Sequence, residues 1–520
     1  MRNSRLGPLV SRLVVYTHRW LGIVLGVLFA SWFISGVVLM YAGMPRLSPA
    51  ERLARRPPLN FSLALREPAA LAETLGFPAA ALQLSMVAGR PVYRFRGNGQ
   101  ALAVFADDGR PVAPLDADAA VAEARAFAPD DQSTIRYDGL LAGPDQWTLE
   151  ISRQLPLHRI ALGDAGDTRL YVSATSGEIV LKTTAATRRW AYPGAILHWI
   201  YLTPIRRHAE AWAQFIIWTS VAGTAMCVVG LAWGIWRYSP TGRYRLKGES
   251  SCSPYAGWMW WHHYGGLIFG LVTITWIFSG LLSMDPWDWH PSTSATAEQR
   301  LAFAGGRSTI ERLALEDLSR ALASVSGARE ADIVLSQGRL WLASDRGVVA
   351  VQEGPGQLPL DANSVRSIAE QAIPNSPVTD IAKLERYDSY YYDRDGELPL
   401  PVLRVRYNDA QRTWLYVDPA RGIILRKEER LTRLNRWLYH GLHSLDFPFL
   451  YYRRPLSDVV VIVLSAGGLL LTVTTLVPAW RRLRRQSRRL RLATSPASRG
   501  NGSGRPSAPR RDPPGAGRAS

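Results

Sequence analysis

Cysteine is nearly absent. Cys227 and Cys252 are the only two in 520 residues, and neither lies in the long stretches 46–210 and 285–457. Disulfides therefore do not hold those stretches, and CxxC metal sites or covalently attached haem are excluded. Acids and bases are missing from four runs, 20–45, 211–236, 250–284 and 459–480. Runs that reach the ~20 residues needed to cross a ~30 Å hydrocarbon core read as membrane spans. The third begins on a polar segment, so its span is placed at 258–284, and the fourth is bounded at 458–480. No GxGxxG follows a strand, and neither a Walker loop nor a Ser-His-Asp signature is present. No nucleotide-binding or hydrolase domain is therefore expected.

What charge there is has a location. The chain carries a net +18, and three segments account for all of it: 1–19 with +4, 237–257 with +3, and 481–520 with twelve Arg and one Asp. These segments alternate with the two long loops. The positive-inside rule puts all three in the cytoplasm, with both termini, and 46–210 and 285–457 outside. The last basic segment, next to a span and rich in Pro, Gly and Ser at its end, reads as a membrane-surface stop followed by a disordered tail, not as a nucleic-acid arm. The first apolar run is too long for a signal-peptide core, so a retained span is expected there.

The chain also repeats itself. HRWLGIVLG at 18–26 matches HHYGGLIFG at 262–270, and WFISGVVLM at 32–40 matches WIFSGLLSM at 276–284, both at an offset of 244. LYVSATSGEIV at 170–180 matches LYVDPARGIIL at 415–425, and LHW at 197–199 matches LHS at 442–444, at 245. The pattern is one duplicated unit of span, exported domain, span. Each unit crosses twice, so the repeats are parallel, about an axis along the membrane normal. The exported stretches read as α+β. RPVYRFRGNGQALAVFADDGRPV, TRLYVSATSGEIVLKT, RLWLASDRGVVAVQ and PVLRVRYNDAQRTWLYVDPARGIIL alternate like hairpins, while LDADAAVAEARAF and DANSVRSIAEQAI read as helices with Asp near their starts.

A basic N-terminus, HRWLG opening a span, an exported LYV-x4-G-x-[IV] hairpin, an LH motif and a returning span together resemble the PepSY-associated transmembrane family over residues 12–480. The resemblance implies a four-span helical bundle with two α+β PepSY-like periplasmic domains in a bacterial inner membrane. Some members are ferric-siderophore reductases with b-type haems between the spans. The long Arg-rich tail is a departure from that pattern.

The repeat sorts the nine histidines. His18 maps to His262 and His198 to His443, and two such pairs suit two b-type haems, each held by an imidazole from either half. His263 and His440, whose counterparts are not histidine, are substitute ligands. Gly22 and Gly26 continue the His18 stripe at helical spacing, as Gly266 and Gly270 continue that of His262. They either make room for a macrocycle or let helices approach. Arg206, Arg207, Arg453 and Arg454 follow the LH motifs just before a span. They suit haem propionates, an anionic substrate or lipid headgroups. The expected activity is electron transfer from a quinol or cytoplasmic flavoprotein to a periplasmic acceptor, with ferric siderophore implied by the resemblance. Two alternatives stand: a non-enzymatic PepSY anchor that binds peptides or regulates a protease, and a siderophore or metal permease.

Overall fold

The computed structural model describes residues 6–494 apart from 61–64, 98, 129–133, 307–309 and 354–355. The N-terminal charges Arg2 and Arg5, the Asn98 turn residue and the tail 495–520 lie outside the described residues. Four helices, Leu6–Leu39, Ala209–Arg237, Trp258–Leu282 and Leu456–Thr494, are long and apolar enough to cross a membrane. Their outward faces expose side chains that water would not tolerate in such number, among them Val24, Val27, Ile268 and Leu271. Their inward faces bury Leu25, Phe29, Phe33, Met226, Trp276 and Ile277. Gly467 and Gly468 of the fourth span give the rings of Phe269 and Phe33 the space that a Cβ would fill.

The spans begin and end differently from the charge-free runs. The first helix starts well before residue 20 and stops at Leu39 instead of 45. The fourth does not end at 480. It continues to Thr494 with Pro478 inside it, so 481–494 is helical and not disordered. Arginine is a good helix former, and a helix leaving the membrane needs no apolar side chains to continue. The loop 237–257 holds a small hairpin of Tyr244–Leu246 and Glu249–Ser251.

Outside the bundle, among the described residues, each half runs through two α-helices, three strands, a further α-helix and four strands. The expected hairpins and helices are present. Asp116 caps Ala117–Phe127 by accepting from the Ala119 amide at 2.8 Å, and Asp361 caps Ala362–Ala372 by accepting from Ser364 at 2.8 Å. The four later strands of each half form an antiparallel meander: Arg136–Leu141, Leu157–Ala161, Arg169–Ser173 and Ile179–Thr183 in the first, Val378–Leu384, Val402–Tyr407, Trp414–Asp418 and Ile423–Glu428 in the second.

The first three strands of each half do not form separate sheets. Ala81–Val87 pairs antiparallel with Ala331–Ser336, Leu82 opposite Ile333, and the two sets fuse into one six-stranded sheet. The two domains expected over 46–210 and 285–457 thus share one sheet and have one four-stranded sheet each. Leu82, Leu84, Tyr93 and Phe95 of the first half share a core with Leu318, Leu322, Ile333 and Leu342 of the second.

An ion cluster reinforces this joint. Arg52 and Arg56, on and just after the helix Pro49–Arg55, both pair with Glu178 and Glu330. Burial alone would raise the Glu178 carboxyl, but Arg94, Arg56 and Arg52 outweigh it and hold it down at about 2 from an ordinary 4.5. A carboxylate depressed by folding adds stability that is present above its unfolded value and lost as pH falls through its folded one. Glu178→Gln is expected to lower the melting temperature at pH 7 and to flatten the acid loss between about pH 4.5 and pH 2. Melts across that range check it; an acid limb identical to wild type would disprove the coupling.

Candidate functional site: two histidine pairs

The four histidines singled out by the repeat meet as two pairs. His18 and His262 stand with ring centres 6.1 Å apart, and His198 and His443 also 6.1 Å apart. Each pair takes one ring from each half. His18 and His262 sit on the first and third spans. His198 and His443 are carried by short segments that dock against those same spans: Ser35 and Ser279, seventeen residues beyond His18 and His262, touch them. At 1.5 Å per residue the two pairs are about 25 Å apart along the bundle, close to the thickness of a hydrocarbon core.

The hydrogen bonds assign the tautomers. Ser35 Oγ donates to the Ser31 carbonyl at 2.6 Å, so it accepts from His198 Nδ1–H at 3.1 Å. Ser279 Oγ donates to the Trp276 carbonyl at 3.1 Å and accepts from His443 Nδ1–H at 3.0 Å. Thr474 Oγ1 donates to the Leu471 carbonyl at 2.8 Å and accepts from His262 Nδ1–H at 3.1 Å. His18 Nδ1–H donates to the Met226 carbonyl at 3.1 Å. In all four rings Nδ1 carries the proton, and Nε2 has no hydrogen-bond partner among the described residues. Such a partner on the far nitrogen fixes the orientation of a ligating imidazole and raises its basicity.

The backbone that presents His198 and His443, the outer pair in being carried by segments that lead out of the sheets, is irregular in the same way twice. A π-helix, Tyr192–Ile196 or Arg436–Gly441, leads into a single turn, Leu197–Trp199 or Leu442–Ser444. A left-handed residue then ends the turn, Ile200 at φ 54° or Leu445 at φ 53°. The left-handed region costs such side chains roughly 1–2 kcal/mol each, and strain of this kind persists where the surroundings enforce it. Gly194 lies against the first span, where a Cβ would come within 2.6 Å of the Ala42 carbonyl. Gly36 and Gly280 give space to the His198 and His443 rings, whose Cε1 atoms lie 3.3 and 3.6 Å from where a Cβ would be.

His18 and His262, the inner pair, open on a cavity of 520 Å³, within the range of cofactor sites. His18, Gly22, Gly26, His262, Gly266 and Gly270 all line it, with Arg19 and Arg482 also on its wall. The glycines divide in role. A Cβ at Gly26 or Gly270 would press Leu476 or Leu231 at 3.1 and 3.2 Å, so these two let helices approach. Gly22 and Gly266 have ordinary room. Gly230, which the sequence reading did not single out, lies against the His18 ring, and a Cβ there would collide with it.

The other candidates sit differently. His263 is buried and uses both nitrogens, with Ser253 Oγ at 2.8 Å and the Gly234 carbonyl at 2.8 Å. It ties the 237–257 loop to the second span and has no lone pair to offer a metal. His440 lies in the π-helix, its ring 4.3 Å from that of Tyr439, which stands 5.8 Å from His443. Burial first, and then Arg436 and Arg426, push His440 down to about 4. Arg206 stacks on Trp212 and Tyr201, and Arg454 pairs with Asp458 at 3.4 Å, while Arg207 and Arg453 are exposed. Among the described residues none of these four arginines contacts His198 or His443.

Ser35, Ser279 and Thr474 were missed. The first two stood in the matched WFISGVVLM and WIFSGLLSM, so their repeated Ser-Gly was the available signal; Thr474 left none. Neither a family model nor a curated protein matches this chain.

Proposed function

We propose that the chain is an inner-membrane protein that binds two b-type haems and moves electrons from the cytoplasmic or quinol side to a periplasmic acceptor. The observation that carries this reading is the meeting of both histidine pairs, each with Nδ1 held and Nε2 free. The residues fit the group. His18 with His262, and His198 with His443, each bring two imidazoles together with ring centres 6.1 Å apart, and these would hold the group. Two imidazoles leave the remaining positions of an iron to a macrocycle, and the inner cavity has room for one. Held by these imidazoles, haem would supply one-electron exchange.

The chain's own residues do the rest. Ser35, Ser279, Thr474 and the Met226 carbonyl hold the imidazole tautomers. Phe29, Phe33 and Trp276 fill the bundle between the pairs and exclude water. The basic segments favour a cytoplasmic placement for the inner pair and both termini. A duplicated gene accounts for the matching order of elements in the halves, and the helix-on-sheet units then correspond to PepSY-like domains. The chain would take electrons from quinol or a separate cytoplasmic flavoprotein. A ferric siderophore is the acceptor suggested by the family resemblance, because Fe(II) suits a hard-oxygen chelate less well than Fe(III).

An optical spectrum of the purified protein, oxidised and then reduced with dithionite, tests the proposal. Two b-type haems per chain are expected. A colourless protein after growth with ample haem would sink it and leave the PepSY anchor as the reading.

A further inference from the structure

The cavity beside His18 and His262 is apolar along most of its wall and charged at one end. Among the described residues that line it, Arg19 and Arg482 are the only Arg or Lys, and none is an acid. The first and fourth spans carry these two arginines and run antiparallel, with Phe33 against Gly468 and Gly26 against Leu476. Arg19 stands about two turns before Gly26, and Arg482 about two turns after Leu476. The register therefore brings the two arginines level, at one end of the cavity. Phe29 and Gly468 line the other end. Along the fourth span the lining runs from Gly468 to Arg482, about 21 Å at 1.5 Å per residue.

Both guanidinium groups are open to a ligand. Arg19 and Arg482 are exposed, and among the described residues neither has an acid or another acceptor. Arg481, one residue earlier, is off the cavity wall and lies 5.7 Å over the Trp258 ring. A cavity of this kind suits a molecule with an apolar body and carboxylates along one edge. We propose that the haem held by His18 and His262 lies with its apolar edge towards Phe29 and its propionate edge towards Arg19 and Arg482, one guanidinium for each carboxylate. This inference rests on the haem reading above and adds the orientation of the macrocycle. Arginine suits the role because it stays charged and grips a carboxylate at two points, and the apolar wall beside it strengthens the attraction.

Redox titration of the holoprotein, with resonance Raman detection of the propionate bending bands, tests it. In Arg19→Gln and in Arg482→Gln the midpoint potential of the inner haem should fall while that of the outer haem holds, because nearby positive charge favours the reduced iron. The two falls should add in the double variant, since each arginine serves its own carboxylate. Arg12→Gln and Arg485→Gln remove the same charge from the same helices but off the cavity wall, and should leave the midpoint in place. Arg19→Lys and Arg482→Lys should keep most of the potential, since the charge stays, yet shift the propionate band. Should a Gln variant lose the inner haem, the Lys bands decide. With haem present in the wild type, three results would each overturn this inference alone: an unmoved inner midpoint in both Gln variants, an equal fall in Arg12→Gln and Arg485→Gln, or unmoved bands in both Lys variants. In each case the arginines serve only as anchors to lipid headgroups. Wild-type protein without haem would overturn the reading beneath it.

Discussion

His18→Ala and His262→Ala are expected to remove the same spectral component, and the double variant to lose no more than either single one. The pair shares one iron in the proposed arrangement, so the first substitution breaks what the second would break, and the effects fail to add. His198→Ala and His443→Ala should behave likewise on the other component. Removing the hydroxyl behind a ring should do less. Ser35→Ala or Ser279→Ala leaves the ligand but frees its tautomer and orientation, and partners of this kind typically change affinity about 10- to 100-fold. Haem content per chain and the reduced spectrum of each variant supply the measurement. If His18→Ala and His262→Ala altered different components, the pairing across the halves would be wrong.

Gly230→Ala is expected to abolish the inner component while the four helices remain folded. Two effects compete at this position. Alanine is the better helix former, by roughly 0.8–1.0 kcal/mol. Overpacking a filled site costs about 1–3 kcal/mol, and here the atoms in the way belong to the His18 ring. Turning the ring away from the Met226 carbonyl would relieve the contact, and that destroys its alignment with His262. Stability should therefore change little while inner haem is lost. Gly36→Ala and Gly280→Ala, with 3.3 and 3.6 Å to the His198 and His443 rings, should harm the outer component less, in that order. Circular dichroism alongside haem content separates the outcomes; normal inner haem in Gly230→Ala would contradict the placement of His18.

The sequence exposed the site because one half can be compared with the other. His18, His262, His198 and His443 were separable from the remaining five histidines only by their matching offsets, and those four are the ones that pair. The spans were visible as charge-free runs, and Asp116 and Asp361 marked helix starts. Strand pairing between Ala81–Val87 and Ala331–Ser336 was not visible, because a β-strand's alternation gives its buried face and not its partner. The arginine tail misled for a related reason: charge density argues for solvent, but it does not argue against a helix.

The six-stranded sheet also bears on what kind of movement this protein can make. A carrier built from parallel repeats works by alternating access: one half rocks against the other, so that a central site faces each side in turn. Here Leu82 is paired with Ile333, and Arg52 and Arg56 grip Glu330, so rocking would tear a continuous sheet and strip a buried ion cluster. Tunnelling sets the opposite requirement. Its rate falls exponentially with the gap between donor and acceptor and suffers when the surroundings must rearrange, so a frame welded along one side, with its sites held at a constant separation, favours a current of electrons over a traffic of solutes.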